Sequence, residues 1–590
     1  MRVVNRKRLC LRVHWVLRKA VVFAALAAAV VPQAAASARS SELLMPGIRH
    51  VRETRMIGGA PVVFHLVYAP KPGGLYGMRP ALSNNLVSGR ETLSSMQRRL
   101  LPHANVIGVN ADFFTWDTGH PNGIYVQGGA ISSHPLRGRS SLGIGLDGML
   151  RIARLRFAGS FAVAGQRTRI LREFNRPLRA IRGFTLFTSE WGARAPVRPK
   201  TNEAILVNVR RIFPNKDRVA SVLKVVRGSG HAIPPGGAIL QARGTSRSLL
   251  KAEAAAGASV TFHLGLAGWW DGVKAAIGGG PLLVRGGVPV LHAGEAFTRT
   301  QLVPRGPRTA VGQRADGRIL LVAVDGRSRV SRGLTNVQLA RAMVHYGAVE
   351  AMAFDSGGST ELAFNGRVLN RPSDGYERPL ADSFQLTYIG VYTPKPRLPV
   401  FSPNGDGYAD TQALYTKLVR RSNVDISLYR PNGSLQWHLT GERAPGILKK
   451  RIGSRTLPEG LWRWIATAVD AKGRSSRMER RFRLNRTLGY VTLSKSLMRV
   501  RRHAGGRLRV GFRLAHAADV KVTISRRSGQ HVRTLAAVSD LGAGGYAVIW
   551  NGRNASGRVV RSGRFVATVQ AKNVLGRVTQ AKGFAVRRVR

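Results

Sequence analysis

A run of prolines over residues 393–403, Thr-Pro-Lys-Pro-Arg-Leu-Pro and then Ser402-Pro403, divides the chain into stretches with different hydrophobic periods. Proline fixes φ and removes a backbone donor, so neither a helix nor a central strand continues through such a segment, and it reads as a linker. Upstream, from Gly47 to about Tyr392, strand-like apolar runs (62–69, 106–109, 204–209, 260–266, 319–324) mix with one clear helix pattern over 334–346. Thr335 or Asn336 can cap that helix, and Gly347 sits at its C′ position. Downstream the pattern becomes short alternating strands with Gly and Asn-Gly turns and no helix, the signature of β-sandwiches. The stretches beginning at Gly460 and Gly563 repeat one another weakly, which predicts two sandwiches, 404–487 and 488–590. The expected architecture is an α+β domain with a mixed sheet (39–392, the candidate catalytic unit), followed by two all-β modules. Three or four units suit a chain of 590 residues.

The N-terminus reads as a signal peptide over 1–38. Seven basic residues precede or abut the apolar run Ala20–Val31, and a small-residue A-x-A site lies at Ala36-Ser37-Ala38. Cleavage would make the protein secreted or cell-surface, with no later stretch apolar enough to span a membrane. It would also remove Cys10, the single cysteine, leaving neither a disulfide framework nor a Cys-based zinc site. The net charge of +63 falls to +56 without those seven residues and suits an anionic partner. Export argues against genomic nucleic acid. The basic residues are also spread along the chain rather than gathered with aromatics into one binding motif.

Several patterns carry nothing. Gly143-Ile-Gly145-Leu-Asp-Gly148 matches GxGxxG, but a strand rather than a helix follows its turn, so it predicts a hairpin. Ser221-Val-Leu-Lys224 is a chance SxxK, and no HExxH, GxSxG elbow or P-loop occurs. The informative stretch is 305–382. Strand 319–324 runs into Asp325, the helix follows, and strand 349–354 runs into Asp355. A right-handed crossover makes the two strands parallel and sets both carboxylates on one sheet edge, where ligands bind. Ser356-Gly357-Gly358-Ser359-Thr360 then offers backbone N–H groups and hydroxyls for an oxyanion. Other polar clusters stand beside strand ends. These are Asn110 and Asp112 before two phenylalanines, Gly279 and Gly280, Arg308, and the charged turn with Ser373, Asp374 and Arg378, closed by Asp382. Taken singly, each has the ordinary reading of a cap, turn or solvated face.

Six motifs bind these clusters together: "GVNADFF", "PNGIYVQGG", "AIGGGPLLVRGG", "PRTAVGQRADGRILLVAVDGR", "GLTNVQLARAMVHYGAVEAMAFDSGGST" and "NGRVLNRPSDGYERPLAD". Their order over residues 60–392 resembles the phosphodiester glycosidase family. The loop of that family usually reads Asp-Gly-Gly-Gly-Ser; here Ser356 stands at the first glycine, and a position needing positive φ would strain it. "IWNGRNASGRVVRSGRFVATVQA" resembles the immunoglobulin-like module of the flagellar hook-capping protein, with Trp550 in its core and turns at Gly552 and Gly557. "FSPNGDGYADT" resembles the opening of extracellular sandwich modules. There Asn404, Asp406 and Asp410 offer three oxygens to calcium, and a plain Asx-turn explains the same spacing. The family resemblance implies hydrolysis of a sugar-1-phosphodiester, whose phosphate leaving group lessens the need for a strong general acid. Asp355 or Asp112, with Asp325 as a third carboxylate, could activate water or attack C1. Arg308 and Arg378 could grip the phosphate, while Asn110, Ser359 and Thr360 could hold hydroxyls, with the site glycines and Ser373-Asp374 completing the loops. The alternative is a dead hydrolase fold that binds anionic wall polymer through its positive charge.

Overall fold

The computed structural model describes residues 39–270, 272–501 and 504–589, so the segment read as a signal peptide lies outside the described residues. Residues 39–392 are built mostly from strands; among the described residues there are four α-helices, the longest Asn336–His345. The expected α+β unit is therefore largely antiparallel β. Periodicity found the strands but could not say that so few helices would cover them.

Three sheets surround the site. The first has eight strands, at whose centre Ala60–Ala69, Ile319–Val324, Arg308–Arg314 and Ala348–Ala353 lie side by side. Ile319–Val324 and Ala348–Ala353 each pair antiparallel with Arg308–Arg314 between them, so they are parallel to each other, as the crossover rule requires. Helix Asn336–His345 makes that crossover. Thr335 and Gln338 close its capping box, and Gly347 ends it at φ +90°. The second sheet sets Asn105–Asn110 between Leu362–Phe364 and Asp382–Tyr388. The third includes Tyr125–Gln127, Ala275–Gly278 and the hairpin of Ser141–Ile144 with Leu150–Ala153, whose turn is the GxGxxG stretch. Val67, Ile107, Val109, Leu142, Ile277, Phe354 and Phe384 belong to one buried cluster linking all three.

A closed seven-stranded barrel occupies residues 156–267 and is an element that the sequence pattern did not reveal. Its interior is filled by Phe161, Phe174, Leu186, Leu240 and Phe262. Its strands look like any alternating run, and closure depends on pairings between strands far apart in sequence.

The proline-rich stretch does not hang free. Thr393 and Phe401 are fully buried, and Val400–Phe401 pairs parallel with strand Ser475–Leu484 of the first sandwich. Buried Arg480 on that strand donates to the carbonyls of Thr393 (2.8 Å), Leu43 (3.1 Å) and Leu44 (3.2 Å), clamping the sandwich onto the first sheet. The Asn404 loop is built from Asx-turns. Asp406 accepts from the N–H of Tyr408 and Tyr490, and Asp410 from those of Gly405 and Gly407. In the last sandwich Trp550 is fully buried against Phe565 and Phe584, its indole N–H donating to the Arg553 carbonyl at 2.9 Å. Trp550→Ala is expected to destabilise that sandwich by about 3–5 kcal/mol, measured as a shift in its chemical-denaturation midpoint; a shift under about 1 kcal/mol would contradict this packing.

Candidate active site

Sheet ends, rather than loops alone, position the site. The N–H of Asp355, just past strand Ala348–Ala353, donates to the Ala111 carbonyl (2.8 Å), just past strand Asn105–Asn110 of the second sheet. Asn110 reinforces that junction. Its side-chain N–H donates to the Asp355 carbonyl (2.8 Å), and its oxygen accepts from Thr309 (2.7 Å) and the Glu361 N–H (3.1 Å). Asp382 opens the strand beside Asn105–Asn110 and accepts the Asp112 N–H at 2.8 Å. The Asp112 carboxylate in turn accepts the N–H groups of Phe113 and Gly123. Gly123 and Gly278 pack so closely on it that a Cβ at either would collide with the carboxylate.

Above this junction opens a cleft of about 280 Å³. Asp355 and Ser356 line it at one side, with Asn122 and Gln301 as further polar groups and Phe113, Phe114 and Trp116 as an aromatic wall. Two guanidinium groups also face it. Arg139 lies between the rings of Phe113 (4.8 Å) and Phe297 (4.2 Å), and its buried Nη1 has no hydrogen-bond partner among the described residues. Arg378 is held by Asp374 (2.6 Å) and Ser359 (3.3 Å) and lies 5.3 Å from the centre of the Trp116 ring. A buried, unpaired donor in a cleft is a place for an acceptor carried by a ligand.

Burial dominates the electrostatics. It pushes the Asp112 carboxyl up to about 6, against N–H donors and the charges of Arg139 and Arg176. It raises Asp382 well above the usual carboxylate range, with the charges of Asp112 and Asp355 adding to the effect, and Asp382 Oδ2 has no hydrogen-bond partner among the described residues. Asp355 is also raised by burial, while hydrogen bonds from Ser359 and the Ser356 N–H oppose the shift. Glu361, behind the Ser359-Thr360 loop, is pushed up to about 8 by burial. Burial thus holds four carboxyl groups at and behind the cleft above their ordinary range.

The expected residues divide unevenly. Asp355 and Arg378 line the cleft, and Ser359, Ser373 and Asp374 support Arg378 from behind. Gly357 (φ +67°) and Gly358 leave room for guanidinium groups, since a Cβ would meet Arg327 at the first and Arg378 at the second. Ser356 has φ −129°, ordinary extended backbone, so the expected strain falls instead on a glycine. Asp112 lies beneath the cleft rather than in it. Asp325 is not in the site: it accepts from the Arg371 N–H (3.0 Å) and meets His65 (3.3 Å), fixing a neighbouring loop. Arg308 is no phosphate grip either. Its guanidinium donates to the carbonyls of Leu334, Gln301, Leu302 and Pro304 and to Ser356 Oγ, which leaves nothing for a ligand. Buried Asn110 is likewise committed to protein partners, and Thr360 Oγ1 is buried without one among the described residues. Gly279 and Gly280 serve close packing, against Ala353 and Glu295. Arg139, Asn122 and Trp116 were not anticipated as site residues, and Asp382 was read only as closing the charged turn. The aromatic run Phe113-Phe114-Thr-Trp116 was a usable signal for the wall, whereas Arg139 looks like any loop arginine. Among the described residues no group of three His, Cys, Asp or Glu side chains is arranged to hold a metal ion.

Residues 208–387 match the phosphodiester glycosidase family model, and residues 499–574 match that of the FlgD Ig-like domain. The first match takes in Asp355, Arg378 and Asp382; Asp112 and Arg139 lie upstream of it. The SPbeta prophage-derived uncharacterized protein YomE of Bacillus subtilis is 39% identical over 82 residues, 14% of this chain and only 13% of that protein. A hypothetical protein from Synechocystis shares the fold at TM-score 0.52 and 21% identity, over 60% of this chain and 64% of that one. The zebrafish N-acetylglucosamine-1-phosphodiester alpha-N-acetylglucosaminidase catalytic domain, auto-inhibited by its pro-peptide, gives TM-score 0.31 and 14% identity over 59% and 87%.

Raised carboxyl pKa values tie stability to pH with a definite sign. A group whose native pKa exceeds its unfolded value favours the folded state while both forms are protonated, and that advantage fades as pH rises toward the native pKa. Asp382→Asn mimics the protonated acid and keeps the acceptor for the Asp112 N–H. Its melting temperature should match wild type near pH 4 and exceed it increasingly toward pH 8, because the unfolded wild-type carboxyl ionises from about 3.8 upward. Parallel curves across that range would contradict a raised Asp382 carboxyl.

Proposed function

We propose that this chain hydrolyses the glycosidic bond of a sugar-1-phosphodiester on an extracellular or cell-envelope glycan, releasing a reducing sugar and a phosphate monoester. The phosphodiester glycosidase match supports a hydrolase of that general type. The observation that carries the finer reading is the grouping of the Asp355 carboxyl with two guanidinium groups, one holding an unpaired donor, in an aromatic-walled cleft. In this reading Arg139 and Arg378 take the phosphate and stabilise its charge as the C1–O bond lengthens. Asp355 meets C1, as base for water or as nucleophile. The leaving oxygen belongs to a phosphate, so departure requires no strong proton donor. Trp116, Phe113 and Asn122 suit a sugar ring, with apolar faces and polar edges. Asp112 and Asp382 are positioning groups: one holds the Gly123 turn, and the other holds Asp112. The basic and apolar stretch at the N-terminus supports export.

Ser356 adopts unstrained backbone, which removes the main ground for reading the site as dead. Asp355→Asn is expected to lower sugar release by about 10²–10⁴-fold, and Arg139→Gln by about 10²-fold, measured as reducing sugar from a sugar-1-phosphodiester. The acid limb of wild-type kcat/KM should have its midpoint above 3.8, since burial raises Asp355 and protonation removes the base. Equal rates for wild type and Asp355→Asn would reject the reaction.

A further inference from the structure

The charge of the last sandwich is extreme. Residues 488–590 hold 21 Lys and Arg side chains and two carboxylates, Asp519 and Asp540. The sheet register turns part of this excess into a surface. In the five-stranded sheet, Leu497–Arg501 runs parallel to Gly576–Val589, with Arg499 directly opposite Arg587 and Arg501 opposite Val589. Met498, Val500 and Val586 point into the core, so the arginines between them project outward. On the next strand Arg564 lies opposite Ala585, two residues from Arg587, and the Arg527 N–H donates to the Arg564 carbonyl (3.1 Å). Five exposed guanidinium groups, Arg499, Arg501, Arg527, Arg564 and Arg587, therefore share one end of one sheet face.

Among the described residues no carboxylate lies beside them. Asp519 lies opposite Lys572 at the far end of its strand, and Asp540 donates its N–H to Asp519 at the same end. Eight residues of strand, roughly 26 Å, separate Asp519 from Arg527, which is well beyond a Debye length of about 8 Å at physiological salt. The meeting with the preceding sandwich also falls at that far end, where Asn485 donates to the Gly576 carbonyl and Asp406 accepts the Tyr490 N–H. The arginine end is the distal tip.

We infer that this distal face binds a linear polymer of repeating phosphodiester groups and so holds the chain on a polyanionic surface. Guanidinium forks suit phosphate oxygens, and arginines on adjacent strands about 4.8 Å apart can engage successive anions. Among the described residues the outward neighbours of the five are Leu497, Val566, Ala585 and Val589, none with an aromatic ring to stack a base, which disfavours single-stranded nucleic acid. The inference stands apart from the reaction at the cleft.

The probe is fluorescent poly(glycerol phosphate), titrated with the full chain across a salt series. Wild type should bind with steep salt dependence, and Asp355→Asn should bind equally. A variant with Arg499, Arg501, Arg527, Arg564 and Arg587 all changed to Gln should bind at least about tenfold more weakly at 0.15 M salt. Its log–log salt slope should be shallower by roughly 0.7 for each phosphate that no longer meets a guanidinium group. A control changing Arg509, Arg513, Lys521, Lys572 and Arg577 to Gln removes the same charge elsewhere on the module and should weaken binding far less. Equal weakening in both variants would reduce the effect to net charge and overturn the face. Single-stranded DNA of equal charge, or anionic lipid vesicles, binding more tightly than the polymer would overturn the occupant. Matching melting temperatures establish that both variants are folded.

Discussion

The hydrogen bond from the Asp355 N–H to the Ala111 carbonyl joins two sheets at their ends, and the site depends on that crossing. Neither sheet alone could place a carboxyl beside the Phe113–Trp116 wall, because each contributes one side of the cleft. Asn110 is spent on the same junction, donating to one chain segment and accepting from two others. The cost is three carboxyl groups buried close together. Backbone N–H donors, Arg139 and Arg176 offset part of it for Asp112, while burial and the charges of Asp112 and Asp355 raise Asp382 well above the usual carboxylate range. This arrangement gives the site a fixed geometry and a carboxyl at the cleft that ionises above its ordinary range.

Much of the framework was legible from sequence. The parallel placement of the strands leading to Asp325 and Asp355 followed from crossover handedness, the helix between them from its cap and C′ glycine, and the burial of Trp550 from the resemblance to the hook-capping module. Residue roles were legible only in part. A conspicuous arginine before a strand suggests a ligand grip, yet Arg308 is consumed by four carbonyls of its own chain. An Asp at a strand end suggests a site, yet Asp325 closes a loop. Hydrogen-bond saturation decides such cases, and it is a property of tertiary partners that no local pattern encodes. Arg139 escaped for the same reason: its importance lies in an unpaired donor between two rings distant in sequence.

The sandwiches relate to the site unequally. The first is fastened by Arg480 to the edge of the first sheet and by the buried Phe401, so it behaves as part of the same body. The last carries its own core around Trp550 and turns its most basic end away from its neighbour. Under the proposed reading, such a division would suit an enzyme acting on a polyanion larger than its cleft, with one part recognising a single linkage and another keeping the chain on the polymer.

The most direct test of the account is a crystal structure of the Asp355→Asn variant with a sugar 1-phosphate bound. The phosphate oxygens should lie within hydrogen-bond reach of Arg139 Nη1 and the Arg378 side, with C1 about 3–3.5 Å from the residue-355 side chain or from one water bridging to it. A phosphate seated elsewhere, with Arg139 Nη1 still unpaired and the sugar away from residue 355, would contradict it.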